Sequence, residues 1–490
     1  MKTCPVIYAL IVCFISSCSG GGGEVNFHFD KDTPTKPPPP ELGETFINVW
    51  PISGSEIQIS LCANKGSHEI TSYEIFKDNE PICTISNDSW TDSDLALGYT
   101  HCYSASAIDS AGNRAVQSVS KCATTGWISE VVDFSSGPSQ IKIHRDDSPR
   151  IGYVAADGVR TSIKQNGVWA IENASNIEAF FDDLSDNVIY VGPYITALSL
   201  MVDSNDAASI FYNLLEDVHD FKYSLWKVTQ SAVAWDAQRI CFDCTSEDNF
   251  NVAFNDSNKA YLSFINQQYN NYQGLAVLNE TTPNAWNLET IEGEQHRLVS
   301  SPSIEIDQNG KLNIFFADLE NQTIKYLNNI QDTWTASTIA GPITKALFDT
   351  TISSAIDSSG ELHVIYYDRD TDSLIYANHL NGDWTFSTIA QGDGGELNSI
   401  AIGLDDSIHV VYASQFSEAL KYATNKGGSW ARTLIESTGV GQTGLLSPSI
   451  ALDSAGIVHI SYIGSKYSST PKGVPGYIKN YVLRHVVQGF

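Results

Sequence analysis

Four residue types in this chain invite a chemical reading. His296 and Arg297 are adjacent, and Tyr269 and Tyr272 lie a short way upstream. A histidine as general base, an arginine to neutralise a carboxylate and a tyrosine as acid make the set needed for β-elimination from a uronic acid. Cys241-Phe242-Asp243-Cys244 has the spacing of a redox or metal motif, but no βαβ pattern surrounds it and no second ligand pair follows, so a loop-tightening disulfide is the better reading. The stretch AIDSSGELHVIYYD, Ala355 to Asp368, packs carboxylates, a histidine and a tyrosine pair together. Near copies of it recur at Ile304–Asp318 and Ile450–Ile463. Chemistry is normally done once per chain, so a carboxylate that recurs belongs to architecture.

The recurring unit has a period of about 50 residues, marked by turn aspartates Asp256, Asp307, Asp357, Asp405 and Asp453 and by tryptophans 127, 169, 235, 286, 334, 384 and 430. Each unit reads as four short strands separated by turn residues. In one unit these are SSAID, ELHVIYYD, SLIYANHL and DWTFSTIA. The aspartate caps a turn and the following glycine, as in Asp357-Ser358-Ser359-Gly360, supplies positive φ. His363, His409 and His459 share one strand position, with Asn313 replacing them in another unit, which points to a structural hydrogen bond between strands.

This pattern resembles the blades of a β-propeller of the sialidase-like superfamily. Seven units can be counted, with inner strands near 140–144, 197–203, 251–256, 303–307, 353–357, 399–405 and 449–453 and an insertion at Ala179 to Val191. The last unit lacks its Trp strand, while GWISEVVD, Gly126 to Asp133, is a Trp strand with no inner strand before it. Closing the last blade with that segment removes two exposed edges. The Asp-x-x-Gly turns are not the Asp-boxes of sialidases, and the arginines of this region are scattered. No GxSxG, HExxH, P-loop or Rossmann pattern is present.

Residues 45–125 resemble a bacterial fibronectin type III module. The resemblance assigns its hallmark tyrosine to Tyr99 and its last hairpin turn to Asp109–Asn113. Cys102 and Cys122 fall nearly opposite each other in that hairpin, and their pairing leaves Cys62 for Cys83. With Cys241–Cys244 this makes three disulfides.

The chain begins MKTCPVIYALIVCFISSCSGGGG. Its apolar run is an export signal, too short to span a membrane, and Ile15-Ser16-Ser17-Cys18 resembles the lipobox of bacterial lipoproteins. The resemblance implies a signal peptide over 1–17, acylation of Cys18 and, with Ser19 next, the outer membrane as destination. Residues 18–44, with GGGG and KPPPP, form a tether.

The expected fold is therefore all-β: a fibronectin type III sandwich over 45–125 followed by a seven-bladed propeller over 126–490, closed by its own N-terminal strand. Asp+Glu 57 against Lys+Arg 28 give a net charge of −29, which excludes nucleic acid as partner. The membrane is touched only through the lipid anchor, and a monomer is expected. No cofactor is required, and the acidic turns leave calcium as the ion to consider.

Residues that occur once, rather than in every blade, mark the expected binding face, where inner strands begin. The loops entering them offer Tyr194, Asp248, Asn249, His296, Arg297, Lys345, Asp349, Asp393 and Glu396, and the loops between second and third strands add Tyr269, Tyr272, Asn321 and Arg369. Aromatics beside polar groups suit sugars. The expected function is non-enzymatic binding of an extracellular glycan or protein, with polysaccharide degradation as the alternative.

Overall fold

A computed structural model describes residues 42–490 except 64–67, 136, 177–179, 183–188, 192–194, 218–221, 232–233, 246–249, 269–270, 283–284, 292–301, 319, 332, 344–350, 381, 414–418, 438–446, 470–476 and 490. The described residues are all-β, and residues 40–490 form one compact unit. Among them are seven antiparallel groups of four strands, each strand hydrogen-bonded to the next in sequence except in the last group. Their innermost strands are Ser139–Ile143, Leu198–Val202, Phe250–Phe254, Ser303–Ile306, Ser353–Ile356, Leu397–Ile402 and Ser449–Leu452. Each innermost strand lies against the next, and the seventh lies against the first. No sheet closes on itself; a propeller-like ring arises from sheets placed side by side.

Side chains at strand centres explain why the sheets stack this way. The second strand of the sheets is buried on both faces and largely apolar, with polar positions such as His363 and Asn313 held inside by hydrogen bonds. Counting three residues on from His363 or its equivalents gives an aromatic in every sheet: Tyr153, Tyr212, Phe264, Phe316, Tyr366, Tyr412 and Tyr462, none more than 4% exposed. A separate hydrophobic cluster fills each of the seven junctions. The one between the seventh and first sheets joins Val132, Ile463 and Leu483 to Ile141, Ile151 and Tyr153. Serines near the start of the innermost strands add latches at the axis. Ser353 Oγ donates to the Asn398 carbonyl at 3.0 Å, Ser399 Oγ accepts from Ile450 N at 3.4 Å and Ser449 Oγ accepts from Ile141 N at 3.2 Å.

The seventh sheet takes its outer strand, Trp127–Phe134, from the start of the repeat region, paired from Gln488↔Trp127 to Val482↔Phe134 with one irregularity between Leu483 and Arg484. The insertion at 179–191 contains a hairpin of Phe180–Asp182 with Ile189–Val191.

Before the ring, Thr45–Ser53, Glu56–Ala63 and Ser89–Asp92 form one sheet, and Glu80–Ile85, Ile70–Lys77, Thr100–Asp109 and Lys121–Thr124 form another. A core of Ile47, Ile57, Ile59, Ile75 and Tyr103 lies between them. Two expectations are corrected here. Tyr99 is 62% exposed, and the buried tyrosine is Tyr103, whose hydroxyl donates to Asp92 at 2.6 Å. Cys102 and Cys122 are directly opposed and bonded, as are Cys241 and Cys244 by a disulfide, but Cys62 and Cys83 are free thiols. Strand parity gives the reason. Ile57, Ile59 and Leu61 point into the core, so Cys62 points away from it, whereas Cys83 packs against that core from the other sheet.

The two regions are joined edge to edge. Lys121–Thr124 pairs with the outer strand of the sixth sheet, Ala431–Ser437, at Glu436↔Ala123, and Cys122 N donates to Ser437 Oγ at 2.6 Å. Nearby, the Arg484 guanidinium sits 4.9 Å from the Trp50 ring centroid, and the Tyr462 hydroxyl donates to buried Glu436.

Candidate functional site

The inner turns of the sheets lie at one end of the ring and repeat one geometry. In the fifth sheet the Asp357 carboxylate accepts from Ser359 N at 2.9 Å and Glu361 N at 2.8 Å, and Gly360 has φ 89°. Asp307 and Asp453 act in the same way. Asp256 and Asp405, expected at this position, are displaced from it: Asn255 and Gly403 hold the turn's first place, as their backbone bonds to Lys259 and Ser407 show.

Behind these turns the histidines are structural. His363 Nδ1 lies 2.6 Å from the Tyr376 hydroxyl and its Nε2 3.2 Å from Asp357. His409 makes the equivalent 2.6 Å bond to Tyr422 and a 2.8 Å bond to Ser407, and Asn313 accepts from Tyr326 at 2.6 Å. His459 replaces the tyrosine partner with His485, whose Nδ1 is 2.8 Å from Glu130 on the closing strand. Burial holds the imidazoles of His409 and His485 down to about 4. The third-strand rings then meet an aromatic of the following sheet edge-on: Tyr326 with Trp384, Tyr376 with Trp430, Tyr422 with Trp127 and His485 with Trp169, at 5.7, 5.4, 5.2 and 5.1 Å.

At the opposite end a second constellation also repeats. Tyr153 and Arg160 both bond Asp133, Tyr412 and Lys421 both bond Asp393, and Tyr462 bonds Glu436 beside Arg484. A tyrosine, a cation and a carboxylate look catalytic in isolation. Here each set straddles a junction, tying a second and third strand to the end of the preceding sheet, so Asp393 belongs to the scaffold.

One group at that end does not repeat. Tyr367 follows the repeated Tyr366 and projects to the other face of the strand, where other sheets carry Ala317, Ala413 or Ile463. Its hydroxyl donates to Asp372. Burial, that hydrogen bond and the neighbouring Glu396 and Asp372 carboxylates push the phenol far above its usual range, while Arg369 opposes them. Tyr367 therefore keeps its proton and serves as a hydrogen-bond donor. Glu396 is 5% exposed, accepts from Gly395 N at 3.2 Å and precedes the sixth innermost strand, where buried Asn398 donates to the carbonyls of Thr351 and Gly395, both at 2.9 Å.

Arg369 and Glu396, two expected rim residues, are thus both near enough to Tyr367 to act on its charge. Sequence reasoning missed Tyr367 because it sits inside a repeated segment; comparing Tyr366-Tyr367 with Tyr412-Ala413 would have exposed it. Tyr272 lies on the strand Asn271–Thr282, paired with Gln267. Tyr194, Tyr269, His296, Arg297, Lys345 and Asp349, with Asp248, Asn249 and Cys18, lie outside the described residues. Asn321 is bound to its own loop, donating to Asp318 at 2.8 Å. Among the described residues no group of three or more His, Cys, Asp or Glu is placed to hold a metal ion.

No family model matches the chain, and neither does any curated protein sequence. Solved structures do. One is a protein of unknown function from Dyadobacter fermentans, at 13% identity over 61% of this chain and 95% of that one, with a TM-score of 0.44. The NanB sialidase from Streptococcus pneumoniae is 9% identical over 89% of this chain and 83% of its own, with a TM-score of 0.40. The polysaccharide lyase Uly1 is 10% identical over 71% and 89%, with a TM-score of 0.40.

Proposed function

We propose that this is an exported, outer-membrane lipoprotein, acylated at Cys18, whose tether and fibronectin type III-like module carry a seven-bladed β-propeller closed by its own first strand. The propeller binds an extracellular glycan, without changing it covalently, on the face opposite the inner turns. What supports the reading is the contrast between repeated and unrepeated residues. Tyr153, Tyr412 and Tyr462 with their charged partners are found at several junctions, whereas Tyr367, Arg369, Asp372 and Glu396 occur together once. They offer donors, a cation and carboxylates to hydroxyls and acidic groups of a sugar chain; Tyr194, Tyr269, Tyr272, His296, Arg297, Lys345 and Asp349 are the other single-occurrence residues that the sequence assigns to this face.

The test is a glycan array combined with a polysaccharide-degradation screen on the mature protein. A glycan should be retained, and Tyr367→Phe or Arg369→Ala should weaken it about tenfold through lost charge-assisted bonds. Unsaturated products from a uronate polymer, lost in His296→Ala, would instead establish a lyase; capture of protein ligands alone would sink the glycan reading. Cys18→Ala should release the protein from the membrane fraction, since acyl chains contribute about 0.8 kcal/mol per buried CH₂.

A further inference from the structure

The inner turns carry a second repeated device, present at four junctions and absent at three. Each turn ends in a residue with positive φ: Asp147, Asp206, Asn258, Gly310, Gly360, Asp406 and Gly456, between 57° and 89°. Where that residue is Asp or Asn, its side chain reaches back and accepts from the second residue of the preceding sheet's turn. Asp147 takes Ser454 N at 2.8 Å and Ser454 Oγ at 2.6 Å, Asp206 takes Arg145 N at 3.1 Å, Asn258 takes Ser204 N at 3.1 Å, and Asp406 takes Ser358 N at 3.1 Å and Ser358 Oγ at 2.9 Å.

The acceptor is missing at the three junctions where the turn ends in glycine, at Gly310, Gly360 and Gly456, the last of them between the sixth and seventh sheets. The donor that would face it is Leu404 N, and among the described residues no group accepts from it. A cleft of ≈160 Å³ opens there, with Leu404, Asp405, His409, Lys426, Leu452 and Gly456 among its walls. Lys426 stands at its edge, 61% exposed and 3.2 Å from Asp405.

We propose that this cleft binds the carboxylate of a uronic acid residue, in the place that the Asp147 and Asp406 carboxylates occupy at other junctions. The carboxylate accepts from Leu404 N and pairs with Lys426. A sugar ring fits the remaining chemistry: Leu404, 84% exposed, and Leu452 present apolar surface to its C–H face, and Asp405 accepts from its hydroxyls. His409 is buried and already bonded to Tyr422 and Ser407, so it adds no charge near neutral pH. This site lies at the opposite end of the ring from Tyr367 and stands independently of the glycan site proposed there.

The decisive variant fills the vacancy from within. Gly456→Asp keeps a positive φ that aspartate adopts at three other turns, and a Cβ on Gly456 meets nothing within 4 Å. Titration of the mature protein with glucuronate, followed by calorimetry, should show binding that glucose does not reproduce. Gly456→Asp should weaken it about tenfold or more and raise Tm by about 1–2 °C in the absence of ligand. Lys426→Met should weaken it several-fold. Equal binding of glucose and glucuronate, wild-type affinity in Gly456→Asp, or no binding to the folded wild-type protein would overturn the proposal. Glucuronate binding that survives in Tyr367→Phe separates this site from the other face.

Discussion

His409 and Asn313 occupy one position in two sheets and each bonds a third-strand tyrosine at 2.6 Å, so the role belongs to the position and not to the imidazole. The histidine carries a liability that asparagine lacks. Its imidazole is held near 4 by burial, with Lys426 adding to the effect, against an ordinary 6.5. A base with a depressed pKa contributes its stability fully above pH 6.5 and loses it as pH falls toward 4, because the unfolded chain takes up the proton first. His409→Asn should therefore cost about 1 kcal/mol or less at pH 7, and it should flatten the fall in stability between pH 6.5 and 4 in urea titrations run at each pH. An unchanged acid slope would show that His409 is not the group responsible. Residue roles of this kind were legible from recurrence alone. Tyr367 was not, since its neighbour Tyr366 is scaffold and only the face each points to separates them.

Strand parity governs the cysteines. In Ile57-Gln58-Ile59-Ser60-Leu61-Cys62 the apolar residues fix which face is inward, and Cys62 is out of phase with them. The Cys62–Cys83 pairing left over from the other four cysteines runs against that alternation, which is present in the sequence. Burial pushes the Cys62 thiol up to about 11, with Asp88 adding to it, and burial also raises Cys83. Both are therefore protonated at neutral pH and slow to react. Without reductant, a maleimide should label the partly exposed Cys83 slowly in the native protein and Cys62 only on unfolding, leaving Cys102, Cys122, Cys241 and Cys244 unlabelled in peptide mass spectra. A Cys62–Cys83 bridged peptide would contradict the assignment. The turns teach a related lesson. Spacing located them to within two residues, but the backbone bonds of Asn255 and Gly403 decided which residue leads each one.

For the molecule as a whole, stability depends on the junction that the chain ends must make together. Trp127 is 4% exposed, belongs to the cluster joining the sixth and seventh sheets, and meets Tyr422 edge-on. Trp127→Ala should cost about 3–5 kcal/mol in denaturant unfolding, more than the same change at Trp430, which lies on a more exposed outer position; equal losses would mean that closure adds nothing beyond local packing. The sequence by itself determined the all-β class, the 50-residue repeat, the Trp strand displaced to residues 126–133 and two of the disulfides. Each is written in local alternation, turn chemistry or recurrence, which survive in a linear string. Tertiary structure decided the rest: which tyrosine of a pair faces a neighbour, that Glu396 and Arg369 both act on Tyr367, that the sandwich joins the sixth sheet at Glu436↔Ala123, and which junctions are bridged by the side chain that ends an inner turn and which are left open by glycine. These depend on which sheet lies beside which, and such adjacency is fixed only when residues hundreds of positions apart pack together.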